Sequence, residues 1–265
     1  MQTWRLEVEY EGTRYAGWQR QPHARTVQGE LTRAAEEFLQ AKAEVGGSGR
    51  TDAGVHALRQ VAHLRVRAGA KAVRPRQLEA GLNGLLPHDI NVLGVRPAPP
   101  SFDARRDAVA RFYLYHISTR RTAFAKSHVW WVKDRLDVRA MSAAAAHVAG
   151  RHDFRSFCES PEAQTSTVVR VETAEVFTRG RLILFRVGAS HFLWKMVRRL
   201  TGALVEVGRG NLTPDDFQKL LRGHSREPAA WTAPPSGLFL ERVLYPGDPP
   251  PDGNEVSSFE FRVSS

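Results

Sequence analysis

The first hundred residues alternate between strand-like and helix-like hydrophobic patterns. Apolar side chains alternate with charged ones over residues 3–10, which predicts a half-buried strand. Apolar residues then recur at helical spacing behind Thr26, a suitable N-cap, and predict a helix over residues 27–38. The same reasoning predicts a strand over residues 60–67, a helix over residues 78–86 and a strand over residues 91–95.

The rest of the chain repeats this mixture. We expect strands at residues 110–118, 168–177, 181–187 and 238–245, helices at residues 138–149 and 192–207, and a helix capped by Thr213 with Pro214 at its first position. The mixture predicts an α+β fold made of two α+β halves whose sheets can join.

A proline-rich stretch at residues 97–100 separates the two halves. We therefore predict an N-terminal half at residues 1–100 and a C-terminal half at residues 101–246. Residues 247–265, which are rich in proline and glycine, are expected to form an extended or disordered tail.

The net charge of the chain indicates the kind of partner that it binds. The chain has 38 Lys and Arg against 28 Asp and Glu, a formal net charge of +10, and a sequence pI near 10.3. Such an excess favours a polyanion, with nucleic acid as the first expectation and a basic protein without such a ligand as the alternative.

The cysteine content and the hydropathy of the chain indicate where in the cell the protein is expected to be. A single cysteine, Cys158, excludes an internal disulfide framework and a cysteine-rich zinc module, which favours a reducing interior. The chain begins without a signal-like apolar run and contains no apolar stretch long enough to span a bilayer. We expect a soluble cytoplasmic protein that does not enter a membrane.

The densest chemical signal is residues 46–56, where glycines surround Arg50, Thr51 and Asp52. The Asp52 carboxylate can act there as a nucleophile or general base, or it can cap a backbone amide in a turn. Arg50 can hold that carboxylate ionised or bind a phosphate. A phosphate loop is excluded because the lysine and the four-residue gap are absent. A metal site of Asp52 with His56 and His63 lacks a further regularly spaced histidine.

Two other clusters combine rings and cations. Tyr113 and Tyr115 share a strand face with Arg111, which suits stacking of an unpaired base or an ordinary aromatic core. Arg198 and Arg199 lie in the predicted helix 192–207, where at least one should face the core and need an anion. We expect Asp52 to be that anion, and a solvated basic face is the alternative.

Together these segments resemble the bacterial tRNA pseudouridine synthase A family over residues 8–245. The family's opening pattern corresponds to residues 10–21, with Glu11 where Asp is commoner, and its catalytic loop corresponds to residues 48–57 without a break. The other matching segments, in the family's order, are residues 26–28, 102–105, 113 with 115, 150–154, 192–198 and 233–238.

The resemblance implies isomerisation of uridine to pseudouridine in the anticodon arm of tRNA, at tRNA positions 38 to 40. Asp52 corresponds to the essential aspartate, Tyr113 to the tyrosine that lies against the uracil, and Arg198 to the basic residue that pairs with the aspartate. Arg50 corresponds to an arginine that helps to extrude the target base, and Leu238 to an apolar residue of the pocket.

The resemblance also implies a mostly antiparallel mixed sheet shared by two similar halves, with helices packed on one side, a central basic cleft and a homodimer. The reaction needs no redox step, so no metal or other cofactor is expected.

The reaction does require that the target base leave the base stack, at a cost of a few kcal/mol. Asp52 can attack the ribose, attack the pyrimidine ring or abstract a sugar proton. A tRNA-binding module and a synthase of another RNA are the alternative functions.

Overall fold

The computed structural model describes residues 2–67 and 73–249. The chain divides into two compact units: the first contains residues 2–109 and 240–249, and the second contains residues 110–239. The last strand, β10 (Leu238–Leu244), contributes its first two residues to the second unit and the others to the first. Residues 250–265 of the expected tail at residues 247–265 lie outside the described residues.

The first unit is built from strands β1 (Gln2–Tyr10), β2 (Ala43–Gly47), β3 (His56–Val66) and β4 (Ile90–Pro97), with helices α1 (Val27–Leu39) and α2 (Pro75–Leu85). Its strand order is β4-β1-β3-β10, and β2 pairs with β3. The pairs β1–β3, β1–β4 and β2–β3 are antiparallel.

Local sequence explains why these elements begin where they do. The Thr26 hydroxyl accepts a hydrogen bond from Gly29 N, so it caps α1 as predicted. The apolar positions of β1 are buried on one face of the sheet, which is why alternation identified the strand. Asn83 of α2 exchanges two hydrogen bonds with the backbone of Val92, at 2.9 and 2.8 Å, and so ties the helix to β4.

The elements of the second unit are β5 (Ala110–Ser118), β6 (Trp130–Trp131), α3 (Val138–Ala146), β7 (Gly150–Asp153), β8 (Val168–Arg179), β9 (Leu182–Ala189), α4 (Met196–Gly208), α5 (Pro214–Arg222) and α6 (Glu227–Ala230). Its strand order is β5-β9-β8-β7, and each of these pairs is antiparallel. The short strand β6 pairs with β5 in parallel.

These observations confirm the α+β prediction with a mostly antiparallel arrangement of strands. Several helix boundaries were wrong: α2 begins at Pro75 and not at residue 78, and α3 ends at Ala146 and not at residue 149. Helix α4 begins at Met196 and not at residue 192, because Lys195 has φ +60° and cannot belong to a right-handed helix. Strands β2, β6 and β7 and the short helix α6 were not predicted. No helix within residues 2–67 and 73–249 combines the length and hydropathy that a membrane span requires.

Candidate active site

The loop that carries Asp52 connects β2 to β3 in the first unit. Ser48 is buried; its N–H donates to Val61 O at 2.8 Å and its hydroxyl donates to Gln60 Oε1 at 2.6 Å. The Gln60 amide donates in turn to Gly49 O at 2.9 Å. Buried hydrogen bonds of this kind satisfy the polar groups of the loop, so they hold its first half against β3.

Two glycines that follow β1 allow the second half of the loop to pack closely. A Cβ on Gly12 would lie 1.9 Å from Val55 O, and a Cβ on Gly17 would lie 2.5 Å from Thr51 O. Gly17 also has φ +89°, a conformation that side chains with a Cβ rarely adopt. Trp18 N–H donates to Thr51 O at 3.1 Å. The glycines at 12 and 17 are therefore part of the scaffold of the loop.

The residues around Asp52 differ in exposure. Thr51 is buried and shares a 2.8 Å hydrogen bond with the Tyr10 hydroxyl; burial raises the pKa of Tyr10 to about 12 and keeps that phenol neutral. Asp52 is half-buried, and its carbonyl accepts Val55 N at 3.1 Å to close a turn. Arg50 is exposed. The loop thus presents a carboxylate and a guanidinium from an anchored backbone.

The two histidines of the rejected metal site are placed too far apart to share an ion. His56 Nδ1 accepts Gly12 N at 3.0 Å, and His63 Nδ1 accepts Ala104 N at 3.0 Å. They are seven positions apart on β3, or roughly 23 Å at about 3.3 Å per residue. A set that contains Asp52, His56 and His63 is therefore not a metal site.

Tyr113 lies on β5 of the second unit, opposite Val187 of β9. Its ring is buried and meets the ring of Phe192 edge-on, with 5.0 Å between centroids. Tyr115, two residues on, is fully buried, and its hydroxyl donates to Pro234 O at 2.7 Å. Burial raises the pKa of Tyr115 well above its usual value. Tyr115 is therefore core, as the alternative interpretation of that cluster held.

Arg198 projects from the first turn of α4 and is half-buried. Its Nε donates to Ala233 O at 2.7 Å, while Ala233 N donates to Arg198 O at 3.1 Å. This reciprocal pair fixes the guanidinium against the segment that precedes β10. Leu238, the first residue of β10, is buried. Tyr113, Arg198 and Leu238 thus belong to the second unit, whereas Arg50 and Asp52 share one loop of the first.

Arg199 has an anionic partner that sequence analysis did not identify. Its side chain is buried; Nη1 donates to Cys158 O at 2.6 Å and Nη2 donates to the Glu159 carboxylate. The ammonium group of Lys195 lies 3.2 Å from the same carboxylate, and Glu159 N donates to Trp194 O at 2.9 Å. Glu159 therefore holds the residues that lead into α4. Only the folded chain reveals this, because Glu159 lies 40 positions from Arg199.

We expect Glu159→Gln to lower the free energy of unfolding by about 1–3 kcal/mol, because the buried Arg199 loses its counter-charge. Urea denaturation of the whole chain measures the change. Glu162→Gln, three positions along at an exposed site, is the matched control and should stay within about 0.5 kcal/mol of the original protein. Equal stability of the two variants would contradict a role for Glu159 at this position.

Comparisons with known proteins agree on one family. A family model described as tRNA pseudouridine synthase matches residues 7–106 and 144–246. Three relatives named tRNA pseudouridine synthase A are similar over almost the whole chain. The protein of Sinorhizobium fredii is 39% identical over 92% of this chain and 100% of its own. That of Citrifermentans bemidjiense is 42% identical over 92% and 98%, and that of Thermosipho melanesiensis is 40% identical over 92% and 100%.

Proposed function

Because the chain belongs to the tRNA pseudouridine synthase family, we propose that it isomerises uridine to pseudouridine in tRNA with Asp52 as the essential catalytic residue. The observation that carries the proposal is the anchored loop of residues 48–55. It is tied to β3 by buried hydrogen bonds and packed against two glycines, yet it leaves Asp52 half-buried and Arg50 exposed. A preorganised carboxylate of this kind suits catalysis because it needs little reorganisation during the reaction.

The reaction is an isomerisation in which atoms balance without a co-reactant. The bond from uracil N1 to ribose C1′ breaks, the uracil turns, and a bond from C5 to C1′ forms as C5 loses its proton and N1 gains one. The Asp52 carboxylate serves as nucleophile or as base; attack on the ribose, attack on the ring and removal of a sugar proton all fit a carboxylate at this place.

The other residues receive the roles that the family resemblance implies. Tyr113 lies against the uracil, Arg198 pairs with Asp52, Arg50 helps to extrude the base, and Leu238 lines the pocket. The fixed guanidinium of Arg198 supports this assignment, because Ala233 O holds its Nε and a guanidinium has further N–H donors that suit a carboxylate.

The finer parts of the proposal concern substrate, assembly and location. We assign the target uridines to positions 38, 39 and 40 of the anticodon arm, the working form to a homodimer, and the site of action to the cytoplasm. A loop or a stem end is a favourable target, since unstacking a base costs least there. The net charge of +10 supports binding of a polyanion of this size.

Treatment of tRNA with the purified protein should produce pseudouridine at positions 38 to 40. Carbodiimide adducts mapped by primer extension identify the sites, and tritium release from uridine labelled at C5 measures the rate. Pseudouridine elsewhere in tRNA would refute the assignment to the anticodon arm. Tight binding of tRNA with no pseudouridine at any position would refute the synthase and favour a tRNA-binding module.

A further inference from the structure

The connection from β5 to β6 and the turn from β8 to β9 carry exposed cations and rings that the proposed reaction does not use. Phe124 is fully exposed and Trp131 is 41% exposed, which is unusual for large apolar side chains in a folded chain. Exposed basic side chains accompany them. We call this group the basic aromatic edge, and it consists of Arg120, Arg121, Phe124, Lys126, Trp131 and Arg181.

The backbone holds much of this edge together. Trp131 belongs to β6 and pairs with Ser118, the last residue of β5. The Ser118 hydroxyl donates to Arg120 O at 2.7 Å, and the Arg121 guanidinium lies 5.7 Å from the Trp131 ring centroid. Thr119 N–H donates to the carbonyl of Arg181, in the β8–β9 turn, at 3.3 Å. The β5–β6 connection and the β8–β9 turn therefore adjoin here, and one arginine of the first lies beside the exposed indole.

Local charge at the edge is not neutralised by neighbouring acids. Within residues 2–67 and 73–249, the structure pairs none of the four cations Arg120, Arg121, Lys126 and Arg181 with a carboxylate. The nearby Asp134 is engaged by Arg209, with 2.8 Å between Oδ2 and Nε. The edge thus has a net positive charge together with two apolar rings.

We propose that the basic aromatic edge is a second RNA-binding surface, which contacts tRNA away from the target uridine. This inference rests on the proposed function. Cations that neutralise phosphates beside rings on which unpaired bases stack are the chemistry of RNA recognition. Ser118 lies five residues from Tyr113 along β5, or about 17 Å, so one RNA can occupy both places. The edge contributes affinity for tRNA and takes no part in the bond changes.

A second copy of the chain fits the edge less well than RNA does. A two-fold interface places the same patch against itself, so the exposed cations would face each other without acids between them. For a dimer to form through this edge, the burial of two exposed rings would have to outweigh the repulsion between the cations. An RNA backbone supplies the missing negative charges and bases supply the stacking partners.

Replacement of Trp131 tests the stacking part of the proposal. Trp131→Ala should weaken binding of full-length tRNA about tenfold, since each stacked base typically contributes a factor of roughly 5 to 150. Trp131→Phe keeps an aromatic face and should bind within about twofold of the original protein. The value of kcat at saturating tRNA should be unchanged in both variants, while KM rises for Trp131→Ala. Unchanged affinity in Trp131→Ala would overturn the proposal.

Replacement of the two arginines tests the electrostatic part. The double variant Arg120→Gln with Arg121→Gln should make the slope of log affinity against log salt shallower by about 1.4, from roughly 0.7 for each lost single-strand phosphate contact. The matched control is Arg139→Gln with Arg151→Gln, which removes two exposed arginines elsewhere in the second unit and should leave the slope unchanged. Equal slopes for the two double variants would contradict the proposal.

The same measurements separate this inference from its premise. Affinity for tRNA is measured without catalysis, so a failure to form pseudouridine refutes the proposed function and leaves the binding test standing. Light scattering of each variant reports the oligomeric state. If Trp131→Ala dissociates an assembly and the loss of affinity follows that dissociation, the edge is an interface between copies and the RNA proposal is wrong.

Discussion

Asp52→Asn should abolish pseudouridine formation and leave the affinity for tRNA within about threefold of the original protein. Asparagine keeps the size and hydrogen-bonding capacity of the side chain but removes its negative charge, so it can serve neither as nucleophile nor as base. We expect the rate to fall by about 10⁴-fold or more, the scale of losing an essential catalytic group. Tritium release from C5-labelled uridine in tRNA measures the rate, and filter binding measures the affinity.

The structure indicates why this substitution should spare the loop. Ser48, Gln60 and Thr51 anchor the loop through side-chain hydrogen bonds, and none of these bonds requires the charge of Asp52. Asp215→Asn, at an exposed position of α5, is the matched control and should keep full activity. Full activity of Asp52→Asn would show that another group performs the chemistry. Loss of activity together with a lower melting temperature and weaker binding would instead indicate a turn-capping role.

Prediction from sequence succeeded where local rules act alone. The bounds of β5 were predicted to the residue, and Thr213 caps α5 with its side chain as expected. Strand β2 was missed because Gly46 and Gly47 lie in it, and glycine is depleted in strands. In the fold, the two glycines admit the rings of His63 and Trp18, which a Cβ would meet at 2.4 Å in each case. Glycine in a strand has this use only where another part of the chain approaches closely.

In the candidate site, too, features set by local sequence were predicted and features set by tertiary contacts were not. The loop of Asp52 was identified from glycine spacing, whereas the buried anchor Gln60 was not, because one glutamine in a strand pattern carries no local signal. At least one of Arg198 and Arg199 was expected to need an anion, with Asp52 as the candidate. The structure gives Arg199 the carboxylate of Glu159, and the Nε of Arg198 donates to the carbonyl of Ala233. Such partners are set by tertiary packing, which spacing does not encode.

Among glycine-to-alanine substitutions in the second unit, Gly202→Ala should lower stability the most. Gly202 lies in α4, one turn after Arg198, and a Cβ there would lie 1.6 Å from Trp231 O and 2.6 Å from Trp231 C. Both contacts are with backbone, so no side chain can turn aside to relieve them. The segment from Trp231 to Ala233 must move. Overpacking typically costs about 1–3 kcal/mol, and contacts with rigid backbone place this change near 3 kcal/mol. A chain of this size should lose about 6–12 °C in melting temperature.

The same shift should reach the reaction through Arg198. The carbonyl of Ala233 accepts a hydrogen bond from Arg198 Nε, and Ala233 N–H donates one to the carbonyl of Arg198. Displacement of this segment therefore changes the direction of the Arg198 guanidinium. At temperatures below the melting temperature, we expect kcat to fall about 10–100-fold, which is the effect of displacing a catalytic group by about 1 Å.

Gly84→Ala is the control. Gly84 lies in α2, and a Cβ there would meet nothing within 4 Å, so the substitution should raise stability by about 0.5–1 kcal/mol. An unchanged melting temperature for Gly202→Ala would disprove the close approach of Trp231, and a lower one with kcat intact would disprove the link from Ala233 to Arg198.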